Sequence, residues 1–201
     1  MSDAKVYVVD DDDAIRDSLK WLIESRELKV EAYASGEEFL EAYDSDLSGC
    51  LLLDVRMPGM SGLELYERLQ ARNSTLPVVF MTGHGDVPMA VSALKKGATD
   101  FIEKPFNDND MLLLIESCVK QDRAAAVKRA EKTSVVQRLD SLTRREREVL
   151  GLIVAGKLNK QIAEALAISI KTVEVHRSRV MEKMGASSVA ELVQFVLKSQ
   201  A

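Results

Sequence analysis

Five times within its first 120 residues the chain repeats one pattern: a short apolar run, a turn, then a stretch carrying helical signals. Lys5-Val6-Tyr7-Val8-Val9 is the first run, β-branched and aromatic as strands are. Val30-Glu31-Ala32-Tyr33, Leu51-Leu52-Leu53, Pro77-Val78-Val79-Phe80-Met81-Thr82 and Asp100-Phe101-Ile102-Glu103 follow in order. Between them, helices are expected from Ala14 to about Ser25 and from the capping box Ser35-Gly36-Glu37-Glu38 to about Tyr43. The box Ser61-Gly62-Leu63-Glu64 starts another, running to about Gln70, and a fourth spans Val87 to Lys96 and stops at Gly97. The last begins near Asp108 and turns Met111, Leu112, Leu114, Ile115 and Val119 inward. Strands that alternate with helices in this way form an α/β doubly wound five-stranded parallel sheet, because parallel neighbours need a crossover between them.

In such a sheet, functional groups gather at the carboxyl ends of the strands. Here those ends carry Asp10 and Asp11, Asp54, Thr82 and Lys104. Asp54 closes the apolar run from Cys50 and meets a turn at Pro58-Gly59; taken alone, an Asp there caps a turn as readily as it reacts. Asp10 to Asp13 are four successive carboxylates, which repel one another unless solvated or shared with a cation. Asp12 and Asp13 suit the positive start of the following helix, whereas Asp10 and Asp11, nearest the strand, suit a hard cation such as Mg²⁺. As a set the residues fit phosphoryl chemistry. A carboxylate at Asp54 can serve as nucleophile, Mg²⁺ on Asp11 and Asp54 would neutralise phosphoryl oxygens, and Lys104 and the Thr82 hydroxyl would contact the same oxygens.

The net charge of -5 is unevenly spread. Residues 1–120 hold 23 acidic and 12 basic side chains, residues 121–201 hold 9 and 15, so the second part faces a polyanion more readily than the first. No apolar run approaches the roughly 18 residues of a membrane span, and the first residues lack a signal-peptide layout. Cys50 and Cys118 lie inside apolar runs and read as buried free thiols of a cytosolic protein.

Residues 121 to 140 are rich in Ala, Lys, Arg and Gln without Pro or Gly, so a helical linker continues the last helix of the α/β part. Thr143 and Glu146 form a capping box at the head of the next helix. Further helices are expected from Asn159 to Leu166, from Ile170 to Met184 after a turn at Ala167-Ile168-Ser169, and from Ser188 to Lys198. Two helices across a tight turn, the second polar and basic, describe a helix-turn-helix, although a four-helix bundle with a solvated face has the same periodicity.

Specific motifs narrow both parts. Val8-Val9-Asp10-Asp11, Leu53-Asp54 with Met57-Pro58-Gly59, Met81-Thr82-Gly83 and Lys104-Pro105-Phe106 resemble the receiver domain of two-component response regulators, a flavodoxin-like fold. The segments Leu142–Leu150, Asn159-Lys160-Gln161-Ile162-Ala163 and Lys171-Thr172-Val173-Glu174-Val175-His176 resemble the LuxR-type DNA-binding domain. Together they place the chain beside the FixJ/NarL class, on its FixJ side, with a receiver over 1–122, a linker over 123–140 and a smaller all-α helix-turn-helix domain over 141–201. The resemblance implies Asp54 as phosphoacceptor and Mg²⁺ held by Asp10, Asp11, Asp54 and the backbone carbonyl of Arg56. It makes Thr82 and Phe101 the switch pair, with Phe101 lacking the hydroxyl of the commoner Tyr, and implies a cis Lys104–Pro105 bond. Glu174, Val175 and Ser178 would face base edges, while Lys160, Lys171, Thr172, Arg177 and Lys183 would hold phosphates. Val189, Leu192 and Val193 on the final helix would pair two such domains. His84 is read as a loop residue that tunes phosphoryl lifetime with Arg56, and His176 as a packing or phosphate-side residue.

The expected protein is therefore a transcriptional regulator that takes a phosphoryl group from a sensor histidine kinase. It would dimerise through the receiver, occupy paired half-sites in double-stranded promoter DNA and act with RNA polymerase, with no membrane partner. It is not expected to be an enzyme beyond gaining and losing its own phosphoryl group at Asp54. An aspartyl-phosphate hydrolase is the first rival, but such enzymes place a carboxylate two residues after the nucleophile, where this chain has Arg56. A regulator that never uses phosphate and a non-specific nucleic-acid binder are the others.

Overall fold

The computed structural model describes residues 5–83 and 87–200. His84 lies outside the described residues. The chain divides into two compact units between Ala126 and Val127.

The first unit is a five-stranded, all-parallel sheet in the order β2-β1-β3-β4-β5. Its strands are β1 (Lys5–Val9), β2 (Lys29–Tyr33), β3 (Gly49–Asp54), β4 (Val78–Thr82) and β5 (Asp100–Glu103). The intervening helices are α1 (Asp13–Glu24), α2 (Gly36–Ala42), α3 (Gly62–Ala71), α4 (Val87–Lys95) and α5 (Asp108–Asp140). Side chains of a strand alternate between faces, and β3 shows the consequence. Leu51 and Leu53 pack with Phe39, Leu65 and Leu69 of α2 and α3. Cys50 and Leu52 pack on the other face with Leu19, Ile23, Ile115 and Cys118 of α1 and α5. With helices on both faces, β3 is buried along its whole length, hence its unbroken apolar run. Both cysteines are free and buried.

The caps set where helices begin. Asp12 accepts the Ala14 N–H at 2.8 Å, so α1 starts one residue before the expected Ala14. Ser61 and Glu64 close a reciprocal capping box on α3. At α2 only half of the expected box forms: Ser35 accepts from the Glu38 N–H, but the Glu38 carboxylate reaches back to the Ala34 N–H at 2.8 Å. Lys104–Pro105 is cis.

The second unit takes in the last turns of α5, then α6 (Arg144–Val154), α7 (Asn159–Leu166), α8 (Ile170–Met184) and α9 (Val189–Gln200). Its core joins Val135, Leu142, Val149, Ile153, Ile162, Val173, Val180, Met184 and Leu192. The turn between α7 and α8 has Ala167 in the left-handed region at φ 52°, and Ser169 then caps α8 by accepting the Thr172 N–H. Among the described residues no helix is long and apolar enough to cross a membrane.

Candidate functional site

Register brings the first unit's functional groups to one edge. Val9 pairs with Leu53 and Asp54 with Met81, so Asp10 and Asp54 leave adjacent strands at the same end. Thr82 is level with Glu103, and the Lys104 N–H donates to the Thr82 carbonyl at 2.7 Å. The Lys104 side chain folds back between the carboxylates, with Nζ 2.7 Å from Asp10 Oδ2 and 3.0 Å from Asp54 Oδ1. Asp10 is fully buried, Asp54 nearly so, and Asp11 exposed. One oxygen from each of these three lies within 4.8 Å of the others.

Three carboxylates and one ammonium leave the pocket negative. Burial raises the pKa of Asp54, against the opposing hydrogen bond and charge of Lys104, and Asp10 and Asp11 raise it further. Burial pushes the Lys104 pKa down, but its hydrogen bonds to Asp10 and Asp54 leave it above the ordinary value. An all-oxygen donor set of this size is the kind Mg²⁺ takes, with waters completing its shell. Thr82 is fully buried, and its hydroxyl has no hydrogen-bond partner among the described residues. A buried polar group without a partner needs a reason, and this one sits at the end of the strand beside Asp54. Phe101 is half-buried against the core at the level of Phe80. Arg56 lies in the β3–α3 loop with its side chain exposed.

In the second unit, α8 presents Lys171, Thr172, Glu174, Val175 and Ser178 to solvent, while Arg177 is half-buried. Lys160, Ile170, Glu174 and Arg177 line one open cleft together with Val189. The Thr172 hydroxyl is bonded to Ser169 Oγ at 2.8 Å. His176 is half-buried with its Nδ1 enclosed by the domain.

Residues 6–116 match the response regulator receiver domain, and residues 140–196 match the bacterial regulatory proteins of the luxR family. The chain is 45% identical over 194 residues to the transcriptional regulatory protein FixJ of Bradyrhizobium diazoefficiens, covering 96% of this chain and 95% of that one. It is 47% identical to the C4-dicarboxylate transport transcriptional regulatory protein DctR of Rhodobacter capsulatus, covering 94% of this chain and 97% of that one. This chain is a LuxR-type response regulator. Among solved structures, the response regulator StyR superposes with a TM-score of 0.91 at 43% identity, covering 98% of this chain and 100% of that chain. Full-length FixJ from B. japonicum gives 0.62 at 44%, covering 100% of this chain and 98% of that one. The regulator is thus a two-component protein that joins a receiver to a LuxR-type DNA-binding domain and regulates transcription.

One expectation for this response regulator needs correction. Leu192 is 0% exposed and belongs to the DNA-binding domain's own core, so it cannot lie on a dimer face. Only Val189 and Val193 of that trio reach the surface, and Val189 lines the cleft that holds Lys160, Glu174 and Arg177. Lys183 is exposed, and its Nζ donates within the domain to Glu146 at 2.7 Å and to the Ser141 carbonyl at 3.2 Å. Helical spacing shows which residues share a face, but not which neighbour covers that face.

Sequence reasoning also passed over residues that hold this machinery. Arg16 of α1 donates to the Asp10 carbonyl at 2.7 Å and is paired with Asp13. Asp122 of α5 is buried and accepts from Ser48 Oγ at 2.5 Å and the Gly49 N–H at 2.9 Å. Arg138 donates to the Met184 carbonyl at 2.8 Å, at the end of α8, and its guanidinium lies 5.8 Å from the Phe195 ring centre. An acid or base on an amphipathic helix reads as solvated, and nothing local marks it otherwise.

Proposed function

We propose that this regulator is switched by phosphorylation of Asp54. A sensor histidine kinase presents a phosphohistidine; an Asp54 oxygen forms the new P–O bond as the P–N bond breaks, and the electron pair returns to the imidazole. The observation that carries this reading is the placement of Lys104 Nζ within 3.0 Å of both Asp10 and Asp54, beside Asp11, at the carboxyl edge of the sheet. Lys104 then exchanges one carboxylate for a phosphoryl oxygen, a charge-assisted bond retained in the product. Asp10, Asp11, Asp54 and the Arg56 carbonyl would hold Mg²⁺, which would supply positive charge to the phosphoryl oxygens.

The buried Thr82 hydroxyl gains in the phosphoryl oxygen the partner it lacks, and Phe101 turns into the space that Thr82 leaves. Two receiver states then differ in free energy by these contacts, and phosphorylation shifts their populations. The shifted receiver dimerises, and two DNA-binding domains meet half-sites related by two-fold symmetry. Lys160, Lys171, Thr172 and Arg177 hold phosphates while Glu174, Val175 and Ser178 face bases, and the bound dimer acts with RNA polymerase in the cytoplasm. Val189 and Val193 contribute to pairing of the domains.

The test is mass in solution by light scattering, with and without acetyl phosphate and MgCl₂, for the native protein and Asp54→Asn. Dimerisation of the native protein alone supports the reading. A response from both proteins, or from neither, removes it.

A further inference from the structure

We propose that Arg16 is a positioning residue for the divalent cation: it clamps the loop from which Asp11 projects and so sets how tightly, and how selectively, the receiver takes Mg²⁺. The inference rests on the reading of Asp10, Asp11 and Asp54 as the cation pocket.

The β1–α1 loop carries four carboxylates in a row, Asp10 to Asp13, and left to itself would open to separate them. Three contacts hold it closed. The Asp12 N–H donates to Asp10 Oδ1 at 3.0 Å, Asp12 Oδ1 accepts from Ala14, and Arg16 reaches across the loop from α1. One guanidinium nitrogen of Arg16 donates to the Asp10 carbonyl at 2.7 Å and another pairs with Asp13. These two anchor points lie on either side of Asp11, in residues 10 and 13. The Arg16 side chain is only 15% exposed, against 88% for Asp13, so it is built into the loop rather than trailing over it.

Arg16 grips the loop at the Asp10 backbone and at the Asp13 carboxylate, without touching the Asp10, Asp11 or Asp54 carboxylates in any hydrogen bond seen among the described residues. The side chains in contact with Asp54 or sharing its pocket are Lys104, Asp10 and Asp11. Its grip is on the carbonyl of Asp10, whereas the two carboxylate oxygens of that residue are engaged by Lys104 and the Asp12 N–H. This gives the effect a definite sign. A cation acting only by repulsion of Mg²⁺ would, on removal, let Mg²⁺ bind more tightly. A clamp, on removal, frees Asp11 and weakens binding. The two metals also separate the cases, because Mg²⁺ requires near-octahedral geometry at short distances while Ca²⁺ accepts irregular ligand sets.

The experiment is isothermal titration calorimetry of the full-length chain with MgCl₂ and with CaCl₂, for the native protein, Arg16→Gln and Arg16→Lys, with folding checked by circular dichroism. Arg16→Gln is expected to weaken Mg²⁺ roughly tenfold, as loss of a supporting contact around a metal does, and Ca²⁺ by clearly less. Arg16→Lys keeps the charge but replaces the two guanidinium nitrogens that grip Asp10 and Asp13 separately with a single nitrogen lacking the planar fork, so Mg²⁺ affinity falls there too. This variant carries the test alone should the Gln form not fold. Unchanged or tighter Mg²⁺ binding in a folded variant overturns the clamp, as does an equal loss for both metals. A native protein that takes up no Mg²⁺ overturns instead the reading of the pocket on which the clamp rests.

Discussion

The Lys183 ammonium of α8 lies 2.7 Å from the buried carboxylate of Glu146 in α6, binding these two helices together. Glu146 also accepts the Thr143 N–H at 2.9 Å, and together these contacts lower its pKa from 4.5 to about 2, with Lys183 the larger cause. A carboxylate whose folded pKa is depressed contributes stability above its unfolded pKa and loses it as pH falls through the folded one. The helix-turn-helix domain should therefore lose protection between about pH 4.5 and pH 2. Hydrogen exchange at the α8 amides separates this domain from the receiver. Glu146→Gln should flatten that dependence, and an equally steep loss in the variant would place its origin elsewhere.

Lys104 is the one cation seen between Asp10 and Asp54 among the described residues. Its replacement by Met keeps the stem but leaves Asp10 buried without its ion pair. Breaking a buried pair from one side is expected to destabilise the receiver by about 3 kcal/mol at neutral pH. Urea unfolding of the receiver measures this, and added Mg²⁺ should restore part of the loss.

Gly62 begins α3 with its N–H donating to the Val55 carbonyl at 3.1 Å. A Cβ at this position would collide with the carbonyl oxygen of Asp54, a backbone atom that cannot yield like a side chain. Gly62→Ala should therefore displace Asp54 and destabilise the receiver by roughly 2 kcal/mol or more, within the range of overpacked cores. Acceptance of phosphate from acetyl phosphate should fall with it, as read by phosphate-affinity electrophoresis. A variant with native stability and native phosphorylation would show that the loop gives way freely.

Asp122 ties α5 to the start of β3 through Ser48 and Gly49. Asp122→Ala leaves the buried Gly49 N–H without this acceptor, expected to lower stability by about 1–3 kcal/mol. Thermal unfolding at pH 7 is the measurement, and the midpoint should fall in the apo and Mg²⁺-loaded protein alike.

On DNA, removal of one phosphate-holding cation should lower the slope of log affinity against log salt by about one. Lys171→Ala, exposed at the first turn of α8, is expected to do so on a random 30-base-pair duplex. Lys183→Ala should leave that slope near its native value, because its ammonium is engaged by Glu146. Glu174→Ala should tighten binding to the same random duplex. Fluorescence anisotropy across a salt series reads all three, and equal slopes for Lys171→Ala and native protein would remove Lys171 from the phosphate contacts.

What the sequence determined by itself was local or periodic. The five strands and the helices between them depend on short runs of neighbouring residues, the Ser61 and Thr143 capping boxes on residues three positions apart, and all appear in the fold. The gathering of Asp10, Asp54, Thr82 and Lys104 was also legible, because a parallel sheet with crossover helices sends every strand end to one edge. What tertiary structure alone decided was which of several chemically equal side chains is covered, and by what. Val189, Leu192 and Val193 all look apolar on α9, yet only Leu192 meets Val149, Val173 and Val180 in the core. Lys171 and Lys183 share a helix, yet only Lys183 faces a buried carboxylate thirty-seven positions away. Asp122 and Arg138, and Arg16 in its bond to the Asp10 carbonyl, meet atoms that no spacing rule reaches, since a carbonyl or N–H has no identity in the sequence; only the Arg16–Asp13 pair follows helical spacing. Periodicity specifies a direction on a helix; the partner in that direction is supplied only when the chain has folded.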